Sequence, residues 1–391
     1  MSEIKVNSIK GTGASSAAIT VHTSDGTATG KFTNLSGRNI VINGSMAVAQ
    51  RGTTSTTSGC NSVDRWQNQH GNTDEAPTQA QIALTSSDTG PWEKGFRYAL
   101  QTTNGNQTSA GAGDYIESHY RVEAQDMANS GWNYNSASSK ITLSFWVKSS
   151  VGQTFYGFLY TADSTAQQYP FSLGSLSANT WTKVTKTIPG HANITINNDN
   201  GEGLRIAIVP FYGTTYTSSG VTLDAWSAYG SGTDCCPDNT STWYTSNDAT
   251  FAITGVQLEV GDVATDFEHR SYHDELHRCM RYYQAFPSGD RSDNYTPVVN
   301  SLLLPYNTTE CYWLPDFRPV LRSTPTISYT GNFRLNATGL QQSVTSSAVF
   351  HNGSNAAFCK VACASGLTAQ SPVALSADND ATARFKFDAE L

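Results

Sequence analysis

Two histidines four residues apart are the first side chains whose spacing suggests chemistry. His273 and His277 would lie on one face of a helix and could share a metal ion. The zinc metalloproteases with this spacing carry a glutamate directly after the first histidine, whereas this chain has Asp274, which is one methylene shorter. His269 lies four residues earlier, but no third ligand follows at a metalloprotease spacing. We therefore interpret the histidines as a polar helix edge, and the sequence assigns no metal ligand.

Carboxylates are scattered through segments that are rich in Gly, Ser and Asn. A glycosidase needs two carboxylates across a sugar-binding cleft, and the sequence does not show which pair would face each other. Loop carboxylates and carbonyl oxygens also suit a structural calcium ion. We therefore predict no catalytic residue and no cofactor, and a structural calcium ion stays open. The loop carboxylates are Asp64, Glu117, Glu202, Asp224, Asp234, Asp238 and Asp248.

A long polar segment between Phe211 and Phe251 carries several aromatic side chains among Gly, Ser, Thr and Asp. Loops of this length are uncommon unless they bind something. Aromatic rings in such a loop can form a flat surface on which sugar rings stack, beside amides and acids that bind hydroxyl groups. The alternative is that the rings cap an open end of the fold or are buried between subunits. The predicted ligand-binding residues are Trp226, Tyr229, Trp243 and Tyr244.

Composition and charge exclude several classes of protein. Charged residues make up 14% of the 391 residues, against about 25% in an average globular protein. The net charge of −8 lacks the basic footprint of a nucleic-acid binder. No stretch approaches the ~18 apolar residues that a membrane helix needs, and the first residues lack a signal peptide. We expect a chain made in a cytoplasm, with reduced cysteines, that inserts in no membrane.

Short strands must position these side chains. The clearest signal is Lys140–Lys148, where Ile141, Leu143, Phe145 and Val147 alternate with more polar positions. Many such segments, separated by turn residues, predict an all-β fold built as an antiparallel sandwich. The predicted strands are Asn39–Gly44, Gln79–Leu84, Gly95–Gln101, Tyr115–Glu123, Lys140–Lys148, Thr154–Tyr160, Trp181–Ile188, Leu204–Phe211 and Phe251–Val260.

The two ends of the chain differ from this central part. Residues 1–36 are too poor in large apolar side chains to close a core, although Ala18–Val21 and Lys31–Phe32 look like short strands. They predict an arm that folds against a partner or against copies of itself. Helical spacing predicts one helix at Tyr272–Phe286, which Pro287 ends. Short strands interrupted by prolines follow it and predict a second, smaller β domain.

Several blocks, in a fixed order, resemble bacteriophage virion proteins of the tail-fibre or receptor-binding kind. Residues 4–9 and 31–35 are similar to the attachment segment of fibres in marine phages. The combination is specific, whereas each block alone would be weak. The blocks are Asn39-Ile40-Val41-Ile42-Asn43-Gly44-Ser45-Met46, Ala49-Gln50-Arg51-Gly52, Asp64-Arg65-Trp66, Phe145-Trp146-Val147-Lys148, and residues 254–261, 264–268, 278–284 and 387–391.

The resemblance implies a virion-attachment segment at 1–36, a carbohydrate-binding-module-like jelly roll at 37–268, a linking helix at 269–287 and a C-terminal β domain at 288–391. It also implies a homotrimeric tail or capsid fibre that contacts other virion proteins through residues 1–36 and a host-surface glycan elsewhere. It carries over no catalytic motif. Two alternatives stay open, a virion-associated polysaccharide depolymerase and a decoration protein that binds only virion proteins. Depolymerases of this kind are usually long β-helices, and the chain shows no internal repeat.

Overall fold

The computed structural model describes residues 6–12, 17–21, 28–30, 36–230, 232–287, 293–299 and 302–391. Three short strands at the start, β1 (Ser8–Ile9), β2 (Ile19–Val21) and β3 (Ala28–Gly30), form an antiparallel sheet of their own. The predicted strand at Ala18–Val21 is therefore confirmed. The predicted strand at Lys31–Phe32, like much of the proposed attachment segment, lies outside the described residues.

Two six-stranded antiparallel sheets form the larger part of the molecule. The first sheet has the order β14-β11-β10-β13-β8-β5, and the second has the order β12-β9-β15-β7-β6-β4. The chain crosses repeatedly between them, so the all-β prediction is confirmed and the architecture is a jelly roll. The strands are β4 (Thr54–Ser55), β5 (Trp66–Gly71), β6 (Thr78–Ala83), β7 (Tyr98–Thr103), β8 (Tyr115–Glu123), β9 (Lys140–Ser149), β10 (Thr154–Thr161), β11 (Gln167–Ser175), β12 (Thr182–Pro189), β13 (Glu202–Tyr212), β14 (Ser227–Ala228) and β15 (Thr250–Val260).

Side-chain alternation places the core between the two sheets. In β9, Ile141, Leu143, Phe145 and Val147 are each at most 1% exposed and pack in the main hydrophobic cluster. Trp146 points the other way, into a smaller cluster on the outer side of the second sheet. The period of two that predicted this strand is therefore also the signal that orients it.

The predicted strand at Asn39–Gly44 is wrong. The segment is a buried turn, because its backbone groups bond to side chains and, at Ile40 and Gly44 alone, to the backbone of residues 256 and 258 in β15. The Asn39 carboxamide accepts from Val41 N and Leu258 N, and Asn43 bonds the backbone of Val48 in both directions. A Cβ on Gly44 would lie 2.1 Å from a backbone oxygen of β15, so no other residue type fits at this position.

Two short helices occur in the described residues, α1 (Ala124–Ala128) and α2 (Tyr272–Cys279), besides one 3-10 turn at Trp92–Lys94. The α2 N-terminus is capped by Ser271, whose hydroxyl accepts from Asp274 N at 3.1 Å. The helix predicted over Tyr272–Phe286 is therefore too long. Its second half leaves the helix at Met280 and joins the sheets of the C-terminal part.

The C-terminal part has its own core between a three-stranded and a six-stranded sheet, ordered β16-β24-β19 and β17-β18-β22-β21-β20-β23. The second β domain is thus present, while its predicted boundary at residue 288 stays a prediction. The strands are β16 (Tyr283–Phe286), β17 (Leu304–Pro305), β18 (Glu310–Trp313), β19 (Thr326–Thr330), β20 (Phe333–Ala337), β21 (Leu340–Asn352), β22 (Ala357–Cys363), β23 (Ala374–Ala377) and β24 (Arg384–Asp388).

The last four residues, which begin with the final residue of β24, connect the two parts. Arg51 of the jelly roll contacts Asp388 at 3.0 Å and Glu390 at 3.2 Å. Arg65, which is 2% exposed, contacts Glu390 and stacks 3.4 Å above the ring of Tyr282. We name Asp388 to Leu391 the C-terminal clasp, since its charges are neutralised by arginines of the other part.

Candidate functional site

The aromatic segment between β13 and β15 does not form the predicted sugar-binding surface. Trp243 and Tyr244 are 0% exposed, so no sugar can reach their faces. Tyr244 stacks on Phe211 at 4.1 Å, and the Trp243 indole donates to Thr250 O at 3.1 Å. The prediction is wrong for these two residues because they close the end of the sandwich, which is the alternative that the sequence left open.

Trp226 and Tyr229 are partly buried and lie apart from that cap. Trp226 packs on Tyr169 with ring centroids 5.3 Å apart, and its indole donates to Pro189 O at 2.7 Å. It covers the edge of the main core. Tyr229 instead contacts Tyr160 at 4.7 Å on the outer face of the first sheet. Of the four predicted residues, Tyr229 alone lines a cavity described next.

A cavity of about 260 Å³ lies on the outer face of the first sheet. We name it the tyrosine groove. It is roofed by the loop after β13, and its size approaches the ~300–1,000 Å³ of small-molecule sites. Its aromatic side chains are partly exposed except for Tyr212 and Phe158, which are buried. The lining side chains are Tyr115, Glu117, Phe158, Arg205, Tyr212, Tyr216, Tyr229 and Cys235, with Gly232.

Strand β8 supplies the polar floor of the groove. Its inward residues Ile116, Tyr120 and Val122 belong to the main core. The intervening residues must then point outward, because successive side chains of a strand alternate between faces. These outward residues are Tyr115, Glu117, His119 and Arg121.

Glu117 is the central charge of this floor. Its carboxylate accepts from His119 Nδ1 at 2.9 Å and from the Tyr212 hydroxyl. Burial alone would raise the pKa of Glu117, but these hydrogen bonds and the charges nearby, including Arg205, lower it to about 2. Burial lowers the pKa of His119, against the opposing effect of Glu117. Near pH 7 the floor therefore holds an ionised Glu117 and a neutral His119.

A second charged group borders the groove. Glu202 pairs with Arg205 at 2.8 Å and with Arg121 at 3.2 Å. The Arg205 guanidinium also lies over the ring of Tyr160, 4.9 Å from its centroid. Two arginines thus balance Glu117 and Glu202, and the site carries no net charge. Partly exposed rings beside fixed, paired polar groups can stack on an apolar ring face and bond its hydroxyl groups.

The remaining sequence candidates are not gathered into a metal site. His273 and His277 are exposed and border an open cleft of about 600 Å³. Among the residues that the structure describes, no group of three metal-ligating side chains occurs, and no helix is long and apolar enough to cross a membrane. Loop carboxylates are held by protein donors instead, as Asp224 is by Lys186 and Asp238 by Thr217.

Sequence reasoning predicted strand β8 but not its role. The signal was present, since Tyr115, Glu117, His119 and Arg121 alternate with core residues along Tyr115–Glu123. The same alternation occurs in any strand with one solvated face, so it orients these four side chains without marking them as a site. Arg205 and Tyr229 join it only through tertiary folding, and no spacing in the sequence indicates that they do.

No protein-family model matches the chain, and no curated protein matches it. Among solved structures it is similar to the enzymatically active domain of tailspike protein 4 of bacteriophage CBA120, with 11% identity and a TM-score of 0.30, over 57% of this chain and 21% of that one. It is also similar to the N-terminal cellulose-binding domain of Cellulomonas fimi β-1,4-glucanase C, with 12% identity and a TM-score of 0.27, over 56% and 99%.

A third similar structure is the family 11 carbohydrate-binding module of Clostridium thermocellum in complex with a β-1,3-1,4-mixed-linked tetrasaccharide. The identity is 10% and the TM-score 0.24, over 57% of this chain and 99% of that module. The chain thus spans about a fifth of the tailspike chain and nearly all of the two modules. At these identities and scores the function has to be argued from the groove itself.

Proposed function

We propose that the protein is a non-enzymatic carbohydrate-binding protein that holds a glycan in the tyrosine groove. The observation that carries the proposal is the set of partly exposed rings, Tyr115, Tyr216 and Tyr229, around paired charges on one sheet face. Sugar rings present apolar faces to aromatic side chains and hydroxyl groups to fixed polar groups. The balanced charges of the groove favour a neutral sugar.

The protonation states support binding over hydrolysis. A glycosidase needs a carboxylic acid that is protonated near neutral pH. Glu117 has a lowered pKa of about 2, so it would be ionised and could not act as that acid. The hydrogen bonds from His119 and Tyr212 instead hold the carboxylate in place. There it can accept hydrogen bonds from sugar hydroxyl groups, or fix the positions of the His119 and Tyr212 side chains.

The sequence resemblance extends the proposal to a phage virion. We infer that the protein is a homotrimeric tail or capsid fibre, attached to the particle through residues 1–36, that adheres to host-surface polysaccharide. If each site binds weakly, several sites held together in one oligomer would bind a polysaccharide more tightly, since linked sites act at high effective concentration. The two alternatives, a depolymerase and a decoration protein, predict different results in the binding experiment.

Removal of a groove ring tests the proposal. Tyr216→Ala and Tyr229→Ala should each weaken binding by roughly 2- to 10-fold, since an aromatic contact contributes about 0.5–1.5 kcal/mol beyond its buried area. Binding would be measured by calorimetry with neutral oligosaccharides of glucose, xylose and mannose. The matched control is Tyr98→Ala, because Tyr98 is 39% exposed on the second sheet, away from the groove.

Three results would contradict the proposal. Equal losses of affinity in Tyr98→Ala and in the groove variants would show that the sugar does not bind in the groove. Sustained release of reducing ends from a polysaccharide, abolished by Glu117→Gln, would favour the depolymerase. Absence of binding to any neutral sugar or to host cells would favour the decoration protein.

A further inference from the structure

Exposed apolar side chains are concentrated in the C-terminal part. Of fifteen large apolar side chains that are exposed in the described residues, nine lie between Tyr295 and Phe350. The much larger jelly roll contributes three, Tyr98, Val260 and Val263. Scattered exposed apolar residues need no explanation, but a concentrated patch marks an interaction surface.

Four rings form one continuous surface on the outer face of the six-stranded C-terminal sheet. Tyr312 stacks on Phe358 with centroids 5.1 Å apart and contacts Phe350 at 5.7 Å and Tyr306 at 5.8 Å. Phe350 is 49% exposed and Tyr306 is 70% exposed. We name these four residues the aromatic face. Leu302, Leu304 and Leu314 are 57–67% exposed and extend it along β17 and β18.

A cleft of about 500 Å³ adjoins the aromatic face at Phe350. Residues of β19 form one wall and residues 347–350 of β21 form the other. The Asn352 carboxamide donates to Pro325 O at 2.9 Å and closes one end. In the pairings described, β19 pairs with β24 alone, and residues 344–352 pair with β22 alone. Each wall is therefore a strand with one edge left for another strand.

These strand edges lack the usual protection against pairing. Exposed edges in soluble proteins generally carry charged side chains that discourage another chain from adding to the sheet. The side chains that line this cleft include no charged residue. On the aromatic face, Lys360 and Glu310 pair with each other at 2.8 Å, so they neutralise one another.

We propose that a second copy of this chain occupies the cleft and the aromatic face. Seven side chains that are 38–70% exposed contribute of the order of 600 Å² of apolar surface. That area is at the upper limit of patches on monomers, about 300–600 Å², and it approaches the ~800 Å² that each partner buries in a standard interface. The seven are Leu302, Leu304, Tyr306, Leu314, Tyr329, Val349 and Phe350.

The charge of the chain also favours a copy over a charged partner. Each copy carries −8, so copies repel one another over most of their surface. The aromatic face and cleft form a region without net charge, where this repulsion is smallest and hydrophobic burial can exceed it. This inference deepens the oligomer proposed above by naming its surface, and it does not depend on glycan binding.

Charge substitutions at exposed positions test the surface without disturbing the core. The full chain should sediment and scatter light as an oligomer at micromolar concentration. Val349→Lys in the cleft and Leu304→Glu beside the aromatic face should each shift it to a species of 42.1 kDa. The matched control is Val263→Lys, because Val263 is 53% exposed on the jelly roll. That variant should form an oligomer of the same mass as the unmodified protein does.

Hydrogen exchange of the unmodified chain gives a second readout. Amides of residues 344–352 should exchange more slowly at high protein concentration than at low concentration, while those of the jelly-roll strands should not change. A 42.1 kDa species for the unmodified chain would overturn both the inference and the proposed oligomer. An oligomer that survives Val349→Lys and Leu304→Glu, with concentration-independent exchange at 344–352, would overturn the inference alone.

Discussion

Glu117 shows how one side chain can serve both the site and the stability of the fold. It is 7% exposed, and its pKa is lowered from 4.5 to about 2 because His119, Tyr212 and nearby cationic charge outweigh the effect of burial. A carboxyl group with a lowered folded-state pKa contributes stability above its unfolded pKa, and this contribution is lost as the pH falls toward the folded pKa. The window is thus about pH 4.5 to 2.

Glu117→Gln should therefore change the pH dependence of unfolding. The free energy of unfolding should fall below that of the unmodified protein by up to about 3 kcal/mol at pH 6, from 1.36 kcal/mol per pKa unit. The deficit should shrink between pH 4.5 and 2, where the native Glu117 also loses its charge. Urea unfolding followed by fluorescence at pH 6, 4 and 3 measures this. A deficit that stays constant with pH would contradict the lowered pKa.

The segment 213–249 illustrates what an element adds to its residues. Its sequence predicted exposed aromatics, and two of the four candidates are instead at the centre of a cap over the sandwich. An aromatic side chain in a polar segment has the same sequence signal whether it stacks on a ligand or closes a core. The difference depends on the stacking of Tyr244 on Phe211, from the opposite end of the segment, and on the bond from Trp243 to Thr250 O, and the residue types alone show neither contact.

Trp243→Ala should accordingly destabilise the fold and leave the site intact. Removal of a fully buried Trp costs about 3–5 kcal/mol, through lost burial and the cavity that remains. We expect a lower midpoint in thermal and urea unfolding, with unchanged glycan affinity of the folded protein. Trp226→Ala is a useful comparison, since Trp226 is only partly buried and its removal should lower the free energy of unfolding by less. A loss of affinity at unchanged stability would restore the sugar-stacking role of Trp243.

Regular elements were predictable where the pattern is local. Tyr115–Glu123 was predicted with the bounds that the structure has, and Lys140–Ser149 differs by one residue. Asn39–Gly44 failed because its hydrogen bonds go to side chains and to β15, and sequence periodicity does not show such partners. The helix at Tyr272 was correct at its start, where Ser271 caps it, but wrong at its end, where pairing of β16 with β24 replaces helical bonds.

At the scale of the whole molecule, buried charges hold the two parts together. Glu390 faces the guanidinium groups of Arg51 and Arg65, and Arg322 donates to the backbone oxygens of Ala389 and Glu390 at 2.8 and 2.9 Å. An ion pair in such a place contributes little over an apolar substitute, but the loss of one partner leaves a buried charge uncompensated.

Glu390→Gln should therefore separate the unfolding of the two parts. We expect a loss of about 3–5 kcal/mol, the range for breaking a buried pair, and two transitions in calorimetry in place of one. Glu93→Gln is the matched control, since Glu93 is exposed on the 3-10 turn. A single transition at an unchanged midpoint would show that the C-terminal clasp does not couple the two parts.

The position of the C-terminal clasp also bears on mechanical load. The clasp begins at the end of β24, which is the central strand of its sheet and pairs with β16 on one side and β19 on the other. A pull that separates the jelly roll from the C-terminal part would be transmitted by Arg51 and Arg65 to this strand along its length. Its hydrogen bonds on both sides would then bear the tension together, in shear, instead of opening one after another. Such a joint would resist stretching, which the proposed adhesive fibre would need.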